Sequence, residues 1–144
     1  ARTYRKAIDD YMESEEKYRA NMEYYKREIA KCTYRQFTTG FYFGKTDSES
    51  QIYDSNTYVK NYTYIGTVRE VTPDGCVCFE QKNKFLVGEK LEAMGFDGTN
   101  IECEVQAIYD EEENSMDSAP HPKQKLRVKL DKELETGIIL RRKE

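Results

Sequence analysis

Tyrosines at positions 4, 11, 18 and 25 recur every seven residues, and Ile8, Met22 and Ile29 stand four residues after three of them. Residues at such spacings share one face of an α-helix. The first 31 residues hold no glycine or proline and are densely charged. The pattern therefore predicts one helix of about 28 residues, roughly 42 Å long. Glu15 takes the fourth partner position and interrupts the stripe. Two packings fit the period: an amphipathic helix lying on its own or another domain, and a coiled-coil pairing helix. The first is preferred, because tyrosine makes a poor seam.

Residues 32–60 are a transition. Cys32 to Gly44 is rich in aromatics, and Lys45 to Asn56 is polar and acidic, which reads as an exposed loop. From Tyr58 the pattern turns to short strands. Tyr62–Val71 is β-branched and aromatic, Pro73-Asp74-Gly75 is a turn signal, and Cys76–Gln81 follows, so residues 62–81 read as a hairpin. Phe85–Glu89 leads into a third strand, Lys90–Met94, and a turn at residues 95–98 comes next. Asn100–Tyr109 alternates, with Ile101, Cys103, Val105 and Ala107 on one face. Pro120 and Pro122 exclude a central strand around His121. Lys125–Leu130 alternates again, and Ile138–Leu140 closes the series. About six short strands behind a helix predict a mainly β fold: a small six-stranded closed β-barrel with one long N-terminal α-helix. The expected division is a helix over 1–31 and a β-barrel domain over 32–144.

Composition narrows the function. Of 144 residues 35% are charged and 38% hydrophobic, so the core is modest. No apolar run approaches the ~20 residues that cross a bilayer, and no secretory signal opens the chain. A cytoplasmic protein without membrane contact is expected, its four cysteines kept as thiols. The net charge is -4, against the basic footprint of a general polyanion binder. Residues 1–31 carry 8 basic and 7 acidic side chains, residues 32–144 carry 15 and 20. Any RNA contact must then be a local patch.

Candidate chemistry is sparse. His121 could pair with Cys78 or Cys103 as base and nucleophile, but no strained nucleophile turn accompanies them. A surface or packing histidine is the simpler reading. Cys76-x-Cys78 puts two thiols on one strand face, with Cys103 available from a neighbour, but this is a weak zinc signal, and small core cysteines are the preferred reading. The acidic run Asp110–Glu113 reads as a solvated turn. The cations Arg35, Lys45, Lys60, Lys82, Lys84, Lys123, Lys125, Arg141 and Arg142, if clustered beside Phe37, Phe41, Tyr42 and Phe43, could hold a single-stranded nucleic acid while the rings stack on its bases. From composition alone, core aromatics and a mixed charged surface are preferred.

Several stretches together resemble a family. Arg35-x-Phe37-Thr38-Thr39-Gly40-Phe41-x-Phe43-Gly44 looks like a signature of the collagenase-like peptidases, peptidase family U32. Gln81-x-Asn83-x-Phe85-x-x-Gly88-Glu89, Asp117-x-Ala119-Pro120-His121-Pro122 and Gly137-x-Ile139-Leu140-Arg141 agree, and Arg5-x-Ala7-Ile8-Asp9 resembles the helix closing the family's catalytic region. The resemblance implies a C-terminal domain similar to the second-domain β-barrel of elongation factor Tu. It implies a catalytic region, TIM-like, lying outside this chain; the start at Ala1 without an initiator Met is read as a processed product or, preferably, a piece cut from a longer protein.

Family members are designated proteases, some linked to collagen, and relatives act in hydroxylation of transfer or ribosomal RNA. The family's iron–sulfur cysteines belong to that other region, so none is carried over to this chain. The expected function is a non-catalytic accessory domain that positions a protein, collagen-like or RNA substrate for the N-terminal catalytic domain. The alternative is a structural or dimerisation module without substrate contact. This piece alone is expected not to be an enzyme. The candidate binding residues are Arg35, Phe37, Thr38, Thr39, Phe41, Phe43, Lys82, Asn83, Lys84 and His121, with no catalytic or metal-binding residue and no cofactor in this piece. The tyrosine stripe is expected to pack on the catalytic domain, or to pair two copies through residues 4–29.

Overall fold

Residues 2–29 form three helices in place of the one expected. A computed structural model describes residues 1–34, 40–46, 48 and 58–144. Helix α1 spans Arg2–Glu13, α2 Glu15–Ala20 and α3 Met22–Ile29. The breaks fall at Asn21 and, more sharply, at Ser14, whose backbone is extended (φ -164°, ψ 145°). Its hydroxyl accepts the Lys17 amide at 3.1 Å, and Glu15 and Glu16 follow in the first turn of α2. A serine cap followed by acidic residues is a helix start, here inserted into a continuous apolar period. The chain bends there, so α3 returns against α1.

That return splits the tyrosine stripe. Tyr25 is buried, and its hydroxyl donates to the Asp10 carboxylate at 2.6 Å. Asn21 Nδ2 donates to the same carboxylate at 3.0 Å, and Lys6 pairs with it at 3.3 Å. Tyr18 stacks on Tyr25 with ring centroids 5.7 Å apart. Tyr11 meets Tyr18 edge-on, centroids 5.6 Å apart, yet stays more than half exposed, and Tyr4 is exposed as well.

Ten short strands follow among the described residues: β1 Tyr62–Thr67, β2 Glu70–Val71, β3 Val77–Glu80, β4 Phe85–Leu86, β5 Lys90–Met94, β6 Asn100–Tyr109, β7 Ser115–Met116, β8 Ser118–Ala119, β9 Lys125–Leu130 and β10 Ile139–Lys143. The main sheet is antiparallel and runs β1-β10-β5-β6-β9-β3-β2, with β7 beside β6, while β4 and β8 pair separately. The expected closed barrel is not formed. No ladder joins β1 to β3 among the described residues, so the sheet stays open.

The local reason lies in residues 62–71, which divide instead of forming one hairpin strand. β1 pairs with β10, and at Val68 the chain turns aside, exchanging hydrogen bonds with Gly137 and Ile138. Only β2 pairs with β3. The two edges still approach: the Lys82 amide donates to the Ile65 carbonyl at 2.8 Å. Gly66 permits this, since a Cβ there would lie 2.5 Å from the Phe79 ring and 3.1 Å from the Glu80 carbonyl oxygen.

Inward positions build one core, including Ile65, Phe79, Phe85, Leu91, Val105, Ile108, Val128 and Leu140. The alternation expected for β6 holds through Cys103 and Val105, then shifts at a register irregularity between Val105 and Ala107, which turns Ile108 inward. Ile101, expected inward, is exposed. No helix among the described residues is long and apolar enough to cross a membrane.

A cluster of charges joins the helices to the sheet. Glu28 of α3 receives Arg2 at 2.8 Å, Lys31 at 2.6 Å and Arg141 of β10 at 3.0 Å. Asn100 Nδ2 donates to its other oxygen at 2.9 Å. Arg141 also holds Glu92 of β5 through Nε at 2.6 Å, and its guanidinium lies 4.8 Å from the centroid of the Tyr62 ring. Arg2 reaches on to the carbonyls of Gly95 and Thr99, each at 2.9 Å. Burial alone would raise the Glu28 pKa; hydrogen bonds from Lys31 and Arg141 outweigh it and hold the carboxyl below its ordinary value.

The helical array has its own acid-sensitive link. The Tyr25 hydrogen bond, then Asn21 and Lys6, hold the Asp10 carboxyl down from 3.8 to about 2 against the opposing effect of burial. A folded-state pKa below the unfolded one adds stability that is whole above the ordinary value and lost as pH falls through the lower one. Urea midpoints should therefore drop as pH falls from about 4 towards 2. Asp10→Asn should be less stable at neutral pH and fall less over that window. An identical pH profile for the two proteins would contradict this role.

Candidate macromolecule-binding groove

Outward positions of β1, β3 and β9 face one another across the approach of the sheet's edges. Strand alternation makes Tyr64, Glu80 and Lys125 outward residues, and Glu80 and Lys125 are direct cross-strand partners. With Thr67, Arg69, Glu70, Cys78 and Lys82 they line an open groove of about 370 Å³. Tyr64 is exposed, and its hydroxyl lies 2.9 Å from that of Thr67.

The groove is locally cationic on an acidic protein. Lys82 pairs closely with Glu80, and with Lys123 and Arg69 acting from farther off it holds that carboxyl below its ordinary value. Three cations, Arg69, Lys82 and Lys125, thus line the groove beside two carboxylates, Glu70 and Glu80, with Lys123 acting on Glu80 from outside the lining. One flank is acidic: Lys125 pairs with Glu111 at 3.2 Å, and Arg127 reaches Asp74 at 3.7 Å and Glu113 at 3.6 Å. This acidic turn gives the cationic strip a boundary.

The residues expected from sequence fall in three places. Arg35, Phe37, Thr38 and Thr39 lie outside the described residues. Phe41 and Phe43 stand with Tyr42 in a turn, 79%, 82% and 86% exposed in the order 41, 43, 42. Lys82, Asn83 and Lys84 connect β3 to β4 at the end of the groove. Asn83 Nδ2 donates to the Tyr64 carbonyl at 2.7 Å, fixing the connection against β1. The Lys84 carbonyl accepts from Arg142 at 3.0 Å. His121 is exposed in the β8–β9 connection, which is tied to the same region by Lys123 N–H to Gln81 and Gln81 N–H to Gln124, both 2.8 Å.

Tyr64 and Arg69 are groove residues absent from the sequence-derived set. The period-two phase of β1 and β3 was the available signal, because it places Tyr64, Cys78 and Glu80 on the outside.

The cysteines do not form a nucleophilic centre. Burial pushes the Cys76 and Cys78 thiols up and raises that of Cys103 to about 12, with nearby carboxylates adding to the effect. At neutral pH these three are thiols, and a thiol is a weak nucleophile. Among the described residues, no group of three or more His, Cys, Asp or Glu is placed to hold a metal ion.

An open antiparallel sheet with an exposed, bounded, cationic groove and a welded helical array defines a small β-rich binding or packing module. Comparison with known proteins gives the family. The model described as "Peptidase family U32 C-terminal domain" matches residues 60–141, and that described as "Peptidase family U32" matches residues 1–52. The chain belongs to peptidase family U32. It is 31% identical over 140 residues to tRNA hydroxylation protein P1 of Bacillus subtilis (strain 168), a match covering 96% of this chain and 33% of that protein. The chain thus spans about a third of the length of this curated relative. A crystal structure of the C-terminal domain of a U32 protein from Geobacillus thermoleovorans matches with a TM-score of 0.50 and 28% identity, covering 56% of this chain and 99% of that one.

Thiol chemistry checks the reading of the cysteines. Exposed Cys32 should react first with a maleimide in the folded protein, while Cys76 and Cys103 should react only on unfolding. Prompt modification of folded Cys103 would overturn it.

Proposed function

We propose that this U32 C-terminal module is a non-catalytic accessory domain that positions an RNA substrate for the catalytic part of its protein, with the cationic groove as the contact. The carrying observation is that Arg69, Lys82 and Lys125 line one groove with the exposed ring of Tyr64, with Lys123 acting on the same region. Cations of this kind hold backbone phosphates and fix register, while an exposed ring offers a face to an unpaired base. The groove's openness suits a chain passing through it. The name of the Bacillus subtilis relative, a tRNA hydroxylation protein, favours transfer RNA over a collagen-like peptide. The net charge of -4 confines the contact to the groove and its acidic flank rejects other approaches.

A second reading is a structural module without substrate contact. The buried charge cluster around Glu28 favours it, since that cluster serves cohesion alone.

One titration separates the two. On the RNA reading the chain binds a transfer RNA transcript at low salt, and log K falls with log salt with a slope of roughly -3 for about four phosphate contacts. Lys82→Glu with Lys125→Glu should cost at least about tenfold in affinity. Lys90→Glu, an exposed cation outside the groove paired with Glu102, should change little. Absence of binding at low salt, or equal loss from all three changes, would leave the structural reading.

A further inference from the structure

Helix α1 has two unlike sides. One side is tied down: Arg2 holds Glu28 and the Gly95 and Thr99 carbonyls, and Asp10 is locked by Tyr25 and Asn21. The other side carries Tyr4, Ile8, Tyr11 and Met12, at 63%, 55%, 56% and 78% exposure. Their spacing, i, i+4, i+7 and i+8, makes one continuous apolar stripe along a 12-residue helix. Single exposed apolar residues need no explanation, but four in a row on one helix face mark an interaction surface.

We propose that this stripe docks against the remainder of the U32 main region within one longer polypeptide. Two observations commit to that occupant. The family boundary puts α1 in the segment matched by the main U32 model, residues 1–52, while the C-terminal-domain model begins at residue 60. The curated relative that aligns across 96% of this chain has two thirds of its length outside the match.

Area argues against a second copy. A 12-residue helix face is about 18 Å long and cannot supply the ~800 Å² per partner of a stable association. A docking partner on the same polypeptide has a high effective concentration and needs far less surface. Tyr25 is buried and Tyr18 stacks on it and meets Tyr11 edge-on, so the open part of the stripe is Tyr4, Ile8, Met12 and the outer face of Tyr11, all on α1.

The consequence is mechanical. The stripe faces the main region while the opposite side of α1 is bonded to the β5–β6 turn and, through Glu28, to β10. The helical array then works as an adaptor that fixes the β-domain's orientation on the larger body. This inference does not rest on the RNA reading.

Hydroxyl-radical footprinting tests it on this chain and on the full-length Bacillus subtilis relative. In this chain Tyr4, Tyr11 and Met12 should oxidise readily, at a rate unchanged across a tenfold dilution. In the full-length relative, the aligned helix should oxidise at least about fivefold more slowly than the same helix in the unfolded protein, on its stripe side as well as its tied side. Stripe positions that stay fully reactive in the full-length relative would overturn the proposal. So would protection in this chain that grows with concentration, which would make a second copy the occupant. As a separate check, Ile8→Glu with Met12→Glu should shift the melting temperature of this chain by less than about 4 °C. A larger loss would mean the stripe belongs to the chain's own fold, and the proposal would fail.

Discussion

Glu28 lies between Arg2, Lys31 and Arg141 with its side chain 2% exposed, and Asn100 fills the remaining acceptor position. A carboxylate withdrawn from water to that degree survives as an anion only when every lone pair is occupied. The cluster is therefore all-or-none. Removing Glu28 itself, the partner that Arg2, Lys31 and Arg141 share, should be the costly change, about 3–5 kcal/mol by analogy with a broken buried pair. Its members come from α1, α3, β10, β5 and the start of β6, so the helical array and the sheet cannot separate without breaking it. Glu92 and the Tyr62 ring extend the same arrangement along the outer face of β1, β10 and β5.

This constraint divides the outer surface of the sheet. The helices and their charges occupy the side over β10 and β5. The side over β1, β3 and β9 is left open, and there the outward residues Tyr64, Glu80 and Lys125 meet the β3–β4 connection. Because β1 gives its ladder to β10 and turns aside at Val68, the sheet stays open and the gap between its edges becomes the groove. Cohesion and the groove thus draw on neighbouring positions of one strand: Tyr62 lies under Arg141, and Tyr64, two residues on, lines the groove.

Much of the fold was legible in the sequence. The strands at 62, 77, 90, 100, 125 and 139 announced themselves by alternation and by Gly and Pro turns, because one buried face imposes a period of two. The helix break was legible too, in Ser14-Glu15-Glu16, but the tyrosine period masked it. What could not be read was pairing at long range. Nothing local joins Glu28 to Arg141, 113 residues away, or tells Asp10 that Tyr25 will return to it. The choice of β10 over β3 as the partner of β1 is likewise a property of the whole chain, and on it hung the expectation of a closed barrel. At the groove, Lys82 and Lys84 stood out as charge, whereas Tyr64 was one of several aromatics in its strand and only its period-two phase marked it as outward. The aromatic signature around Phe37 lies partly outside the described residues.

Native-state hydrogen exchange bears most directly on the claim that Glu28 makes helices and sheet one unit. Backbone amides of α3 and of the paired strands β5 and β10 should open with the same free energy and the same denaturant dependence, as one cooperative block. Exchange in α3 that proceeds through its own low-energy opening, while β5 and β10 remain protected, would show that the helices come away independently and would contradict the account.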